Sequence, residues 1–140
     1  MSKKGFTLVE VMVSVAIVGL VLTGVLFLFV QTADISARID KQYVATNLAK
    51  SRIERVRAVV EASGFDSLDD LVESSATYLN SDGTSNQNGD FKRFTAVSSY
   101  PSVTPDPNLR GVEVKVVYRY RGSWREDAAI TVTTVFANVL

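Results

Sequence analysis

Phe6–Val30 is a run of 25 residues whose only charge is Glu10. As a helix, a run of that length crosses a hydrocarbon core of about 30 Å. Lys3 and Lys4 precede it, and positive flanks are retained on the cytoplasmic side. The expectation is a single span of the cytoplasmic membrane, with its N-terminus inside and everything after Val30 outside. A secretory signal would place a small-residue cleavage site after the apolar run. Gln31-Thr32-Ala33-Asp34-Ile35-Ser36-Ala37 is a poor match to such a site.

The one glycine in a polar setting, Gly5, lies before the run instead. Lys3-Lys4-Gly5, then Phe6-Thr7-Leu8-Val9-Glu10 and an uninterrupted apolar stretch, resembles the type IV pilin family. Prepilins of that family carry a short basic leader ending in glycine and are cut before an aromatic residue. The resemblance implies cleavage between Gly5 and Phe6, methylation of the new amine of Phe6, and an assembly role for Glu10. That role is to pair with the amine of a neighbouring subunit's first residue. The residues alone give Glu10 a plainer reading, a carboxylate near the interface that snorkels to water, because an ionised acid within a span costs about 2.5–3.5 kcal/mol.

Cysteine and histidine are both absent. No disulfide can brace the outer region, and histidine-based triads and histidine-ligated metals are excluded. No enzyme is indicated. Losing Met1–Gly5 would remove two of the 15 basic residues, leaving 13 against 15 acids, or −2 before the termini. That is not the balance of a protein that binds polyanions.

Beyond Val30 the pattern turns amphipathic. Ile35, Ile39, Ala45, Leu48, Ala49, Ile53, Val56 and Val60 recur at helical spacing among charged residues. No proline occurs before Pro101, and Gly64 is placed to cap a helix C-terminus. One helix over 6–63 would be about 87 Å long; the alternative is two helices joined near Gln31–Ser36. Gly19 and Gly24 allow close helix approach but do not form a GxxxG pair. Lys50–Glu54 and Arg57–Glu61 are spaced for i,i+4 pairs.

After Gly64, Ser67 as N-cap and the apolar positions Leu68, Leu71, Val72, Ala76 and Leu79 predict a second helix over about 68–79. Asn80–Asp90 is polar and turn-rich and reads as a mobile loop. Calcium held by the Asp82–Asp90 stretch is the lesser reading, because the EF-hand order is missing. Phe91–Ser99 is a candidate strand, followed by an extended loop over 100–108 that holds all three prolines. Val112, Val114, Val116, Tyr118 and Tyr120 alternate with charged residues, and Ile130, Val132, Thr134 and Phe136 form a second such pattern. A turn over Gly122–Asp127 would join them.

The expected fold is α+β, a pilin fold. It comprises a leader (1–5), a membrane or filament-core helix (6–30) and an extracytoplasmic head (31–140). The head takes the outer half of the helix (31–63), a short helix and loop (64–90) and an antiparallel sheet (91–140). The interleaved Tyr118-Arg119-Tyr120-Arg121-Gly122-Ser123-Trp124-Arg125 is also a candidate surface for single-stranded nucleic acid. Alternation turns its tyrosines inward and leaves the arginines to Glu113, Glu126 and Asp127, which disfavours that use. Asn47-Leu48-Ala49, with Ile53-Glu54 and Arg57, resembles a stretch of V-class minor pilins and of the I-type minor pseudopilin of type II secretion. The resemblance implies a minor pilin, with a minor pseudopilin as the alternative and an adhesive or DNA-binding tip subunit behind both. The implied partners are other pilin or pseudopilin subunits, a prepilin peptidase and methyltransferase, and an inner-membrane assembly platform.

Overall fold

The computed structural model describes Gly5 and residues 7–138. A single α-helix, α1, runs Leu8–Ser63, so the alternative of two helices is not realised. The described residues fall into two compact units, one ending at Ile39 and the other beginning at Asp40.

In the first unit the apolar side chains face outward: Leu20 is 77% exposed and Phe29 72%. Its hydroxyls are satisfied on the helix itself. Ser14 donates to the Glu10 carbonyl (2.7 Å), Thr23 to Gly19 (2.8 Å) and Thr32 to Leu28 (2.8 Å). A helix that presents apolar side chains outward and keeps its hydrogen bonds internal is suited to lipid. The Asp34–Arg38 pair (2.8 Å) marks the return of charge.

The second unit is a helix on a sheet. Within it, α1 buries Ala45, Leu48, Ala49, Ile53 and Val56, one face at helical spacing. Gly64, at φ 89°, ends the helix, and its N–H reaches the Val60 carbonyl (2.9 Å). The strands are β1 (Thr77–Leu79), β2 (Phe91–Tyr100), β3 (Asp106–Tyr120), β4 (Ser123–Trp124) and β5 (Ile130–Ala137). They pair antiparallel, with β2 between β1 and β3, and with β5 and β4 on the far side of β3. On β3, Val112, Val114, Val116 and Tyr118 share one face, as period-two alternation requires, and join the helix residues in one core. The register sets Phe91 beside Tyr118, Thr95 beside Val114 and Ile130 beside Val116.

Several expectations need correction. The helix over 68–79 is instead a 3-10 helix, Phe65–Leu71, followed by β1. Leu68 and Leu79 are both buried as expected, but from different elements. Between them Glu73 is drawn to Arg93 (2.6 Å) and its N–H to the Thr95 carbonyl (2.9 Å), which pulls the chain out along β2. Ser67 does not cap through the N–H groups ahead of it; its hydroxyl donates back to the Gly64 carbonyl (2.6 Å).

The loop over 80–90 is knit by hydrogen bonds within itself and to β1. Asn80 bonds Thr84 through its N–H (2.9 Å), and Asn86 bonds the Tyr78 carbonyl (3.0 Å). Gly89 packs so closely on the Leu79 backbone that a Cβ there would overlap it. The extended loop is shorter than expected because β3 begins at Asp106, with Pro107 at its start, and pairing to β2 shifts register between Ser99 and Tyr100. The hairpin turn is Arg121–Gly122, both at positive φ, followed by β4 and a short 3-10 turn, Glu126–Ala128. On the helix, Arg57 pairs with Glu54 (2.8 Å) rather than with Glu61.

Candidate functional site: the start of the helix and the ion cluster of the head

The first turn of α1 contains the main candidate residue. Thr7 precedes the helix, its hydroxyl accepts the Glu10 N–H (3.3 Å) and its carbonyl accepts the Val11 N–H (3.2 Å). Thr7 is therefore the N-cap and Glu10 the third helical residue, the Thr-x-x-Glu spacing of a capping box. The cap fixes where the helix begins, and hence where Glu10 sits. Its carboxylate lies in the first turn, where the helix dipole favours negative charge. It is exposed and has no partner among the described residues. A carboxylate so placed can accept a cation from outside the chain. The cap was legible from the Thr7–Glu10 spacing, although the sequence reading used Glu10 alone.

Gly5 is exposed and precedes the helix, and a Cβ at that position would meet nothing within 4 Å. The fold itself does not call for glycine there. Lys3, Lys4 and Phe6, the other residues expected in the leader and at the modified position, lie outside the described residues.

In the head, a cluster that sequence reasoning missed ties helix to sheet. Glu73 accepts two hydrogen bonds from Arg93 Nε (3.2 Å each), one from Arg93 Nη2 (2.6 Å) and one from the Thr95 hydroxyl (2.7 Å). Arg52 of α1 lies 3.6 Å from Glu73 and donates to Thr95 (3.2 Å) and to the Leu71 carbonyl (3.0 Å). Burial alone would raise the Glu73 carboxyl. The hydrogen bonds from Arg93 and Thr95 and the charges of Arg93 and Arg52 together outweigh it, holding the carboxyl below its ordinary range. No local pattern announces this cluster, since its members come from positions 52, 73, 93 and 95.

The two carboxylates of the Asp82–Asp90 stretch have separate uses. Asp82 Oδ1 accepts the Thr84 N–H (2.9 Å) and hydroxyl (2.7 Å). Asp90 receives Lys41 (2.8 Å) from the helix and Arg119 (2.9 Å) from β3. Among the described residues no three Asp or Glu side chains converge to hold a metal. In the Tyr118–Arg125 stretch, Tyr118 is buried and Tyr120 packs against the core, so the tyrosines turn inward as alternation predicts. Arg125 takes Asp127 (2.7 Å), while Arg119 takes Asp90 rather than the acids expected for it. Trp124 lies under Lys92 (4.1 Å to the ring centroid) and against Tyr78 (5.9 Å between centroids) on the sheet face away from the core.

Residues 1–26 match the prokaryotic N-terminal methylation motif family. No curated protein and no solved structure matched the chain. The matched segment takes in the basic leader, Gly5, the cap at Thr7, Glu10 and most of the apolar run, so that motif and geometry fall on the same turn of helix. α1 is also the only helix among the described residues that is long and apolar enough to cross a membrane. The chain therefore carries a type IV pilin-like prepilin signal, with an apolar helix fit to anchor it in a membrane, on an α+β pilin-like architecture.

Proposed function

We propose that this chain is a minor pilin-like subunit of a type IV pilus. A prepilin peptidase cuts it after Gly5, its new amine at Phe6 is methylated, and it joins or primes a filament through α1. Before assembly it spans the inner membrane once, with Lys3 and Lys4 cytoplasmic and residues 31–140 outside. Glu10 accepts the cationic amine of a neighbouring subunit's Phe6. The observation that carries this reading is the lone carboxylate of Glu10, without a partner among the described residues, on an exposed apolar helix at the turn that the methylation motif covers. Such a charge is costly against lipid, and a partner's cation removes the cost. The Asn47–Arg57 stretch supports a second reading, a minor pseudopilin of type II secretion. Its apolar members Leu48, Ala49 and Ile53 serve the core of the head and do not separate the two machines.

The N-terminal mass of the protein purified from membranes tests the processing step. A start at Phe6 carrying one added methyl group is expected; an intact Met1 or Ser2 start would overturn it. Glu10→Ala then tests the assembly step. Processing should be unchanged while incorporation into filaments falls at least tenfold, and full incorporation would remove the pairing role.

A further inference from the structure

Beside the ion cluster of the head lies a cavity of about 200 Å³ lined by Arg52, Arg55 and Arg93, with Ser51, Ser85 and Asp82. Its charges do not cancel. Glu73 is shared between Arg93 (2.6 Å) and Arg52 (3.6 Å), and Asp82 is bonded to Thr84 and pairs with none of the three guanidinium groups. Arg55 is exposed and makes no ion pair or hydrogen bond among the described residues, and the Nη1 groups of Arg52 and Arg93 are likewise without acceptors. Burial pushes the Arg52 guanidinium down, Glu73 draws it back up, and the charges of Arg93 and Arg55 push it down again. Like charges crowded around a cavity leave open donors for a planar anion, and guanidinium forks match a carboxylate.

The same head supplies such carboxylates. Asp66, Asp69 and Asp70 all lie on the 3-10 helix Phe65–Leu71, are exposed, and have no partner among the described residues. We propose that the arginine-lined pocket of one copy receives an acidic side chain from the Asp66–Asp70 turn of a second copy. The pocket and the turn are different patches carried by every copy, so each subunit can both give and receive the contact. Pairing of unlike patches is the kind of contact that can propagate along a filament instead of closing on itself. This contact deepens the proposed function, since it rests on reading the chain as an assembling subunit, and it lets a copy stand next to another of its kind.

The absence of cysteine makes the test direct. Two tagged full-length copies, one Arg55→Cys and the other Asp69→Cys, are expressed together in membranes and mildly oxidised. A disulfide-linked heterodimer should form at least tenfold more than when Asp106→Cys, at the exposed start of β3, replaces Asp69→Cys. A separate pull-down between tagged copies should weaken at least tenfold with Arg55→Glu and recover when the other copy carries Asp69→Lys and Asp70→Lys. Equal crosslinking to the Asp106→Cys control, or no loss on charge reversal, would overturn the contact. No crosslink in protein whose N-terminal mass shows a Phe6 start overturns the pocket contact alone. A crosslink in protein that still begins at Met1 supports the contact and overturns the proposed processing.

Discussion

The two parts of α1 have the same backbone and opposite surroundings. Up to Ile39 the large apolar side chains are exposed, and hydroxyls turn back onto their own helix. From Asp40 the apolar positions narrow to one stripe, three of whose members, Ala45, Ala49 and Val56, are fully buried against the sheet. The first part shows its large apolar side chains exposed, while the second is half of a core. What a substitution does should therefore depend on which part it falls in, more than on the residue removed.

The sharpest contrast is between two large apolar residues. Phe91→Ala, at a side chain 1% exposed in the centre of the head core, should cost about 3–5 kcal/mol. Leu20→Ala removes a side chain that is 77% exposed and should leave the melting of the head unchanged. Thermal unfolding of both variants in detergent checks the pair, and comparable losses would erase the distinction between the two parts.

Glu73→Gln is the next largest. Its side chain is only 13% exposed, and removing its charge leaves Arg52 and Arg93 facing each other, at about 2–3 kcal/mol. The same residue sets an acid limit. Its carboxyl is depressed in the folded head, so its contribution is present above its ordinary value of 4.5 and is lost as pH falls from there through the lower folded value. Denaturant melts between pH 6 and pH 3 should show a steeper loss for the native chain than for Glu73→Gln, and equal slopes would remove Glu73 from the acid response.

The smallest effect is at the other end of the chain. Thr7→Ala deletes the cap of α1 at about 1 kcal/mol. Hydrogen exchange at Glu10 and Val11 should quicken while the head is unaffected. Protection that does not change would mean that the cap does not set the first turn.

These regions differ in how well they could be read beforehand. The apolar run, the stop at Gly64 and the alternating strands Phe91–Tyr100, Asp106–Tyr120 and Ile130–Ala137 are local patterns, and the structure follows them. Residues 65–79 misled because Leu68, Leu71, Val72, Ala76 and Leu79 keep helical spacing. The deciding interaction comes from Arg93, 20 residues after Glu73, and no window over the segment contains it. The contacts of the Asn80–Asp90 loop were hidden for a similar reason. Its partners are remote in sequence: Asp90 takes Lys41 and Arg119. At the candidate site Glu10 stood out as a lone charge, whereas the arginine pocket, gathered from three elements, had no local signature.

The hydroxyls of Ser14, Thr23 and Thr32 bear on how such an anchor could change surroundings. Each is already bonded to the carbonyl four residues back, so none needs a new acceptor when lipid is exchanged for the side chains of neighbouring helices. Residues 8–30 then behave as a nearly inert rod whose departure from a bilayer would be governed by apolar surface and by Glu10, the one charged side chain among them. The environment in which Glu10 is best solvated is then the one the rod prefers.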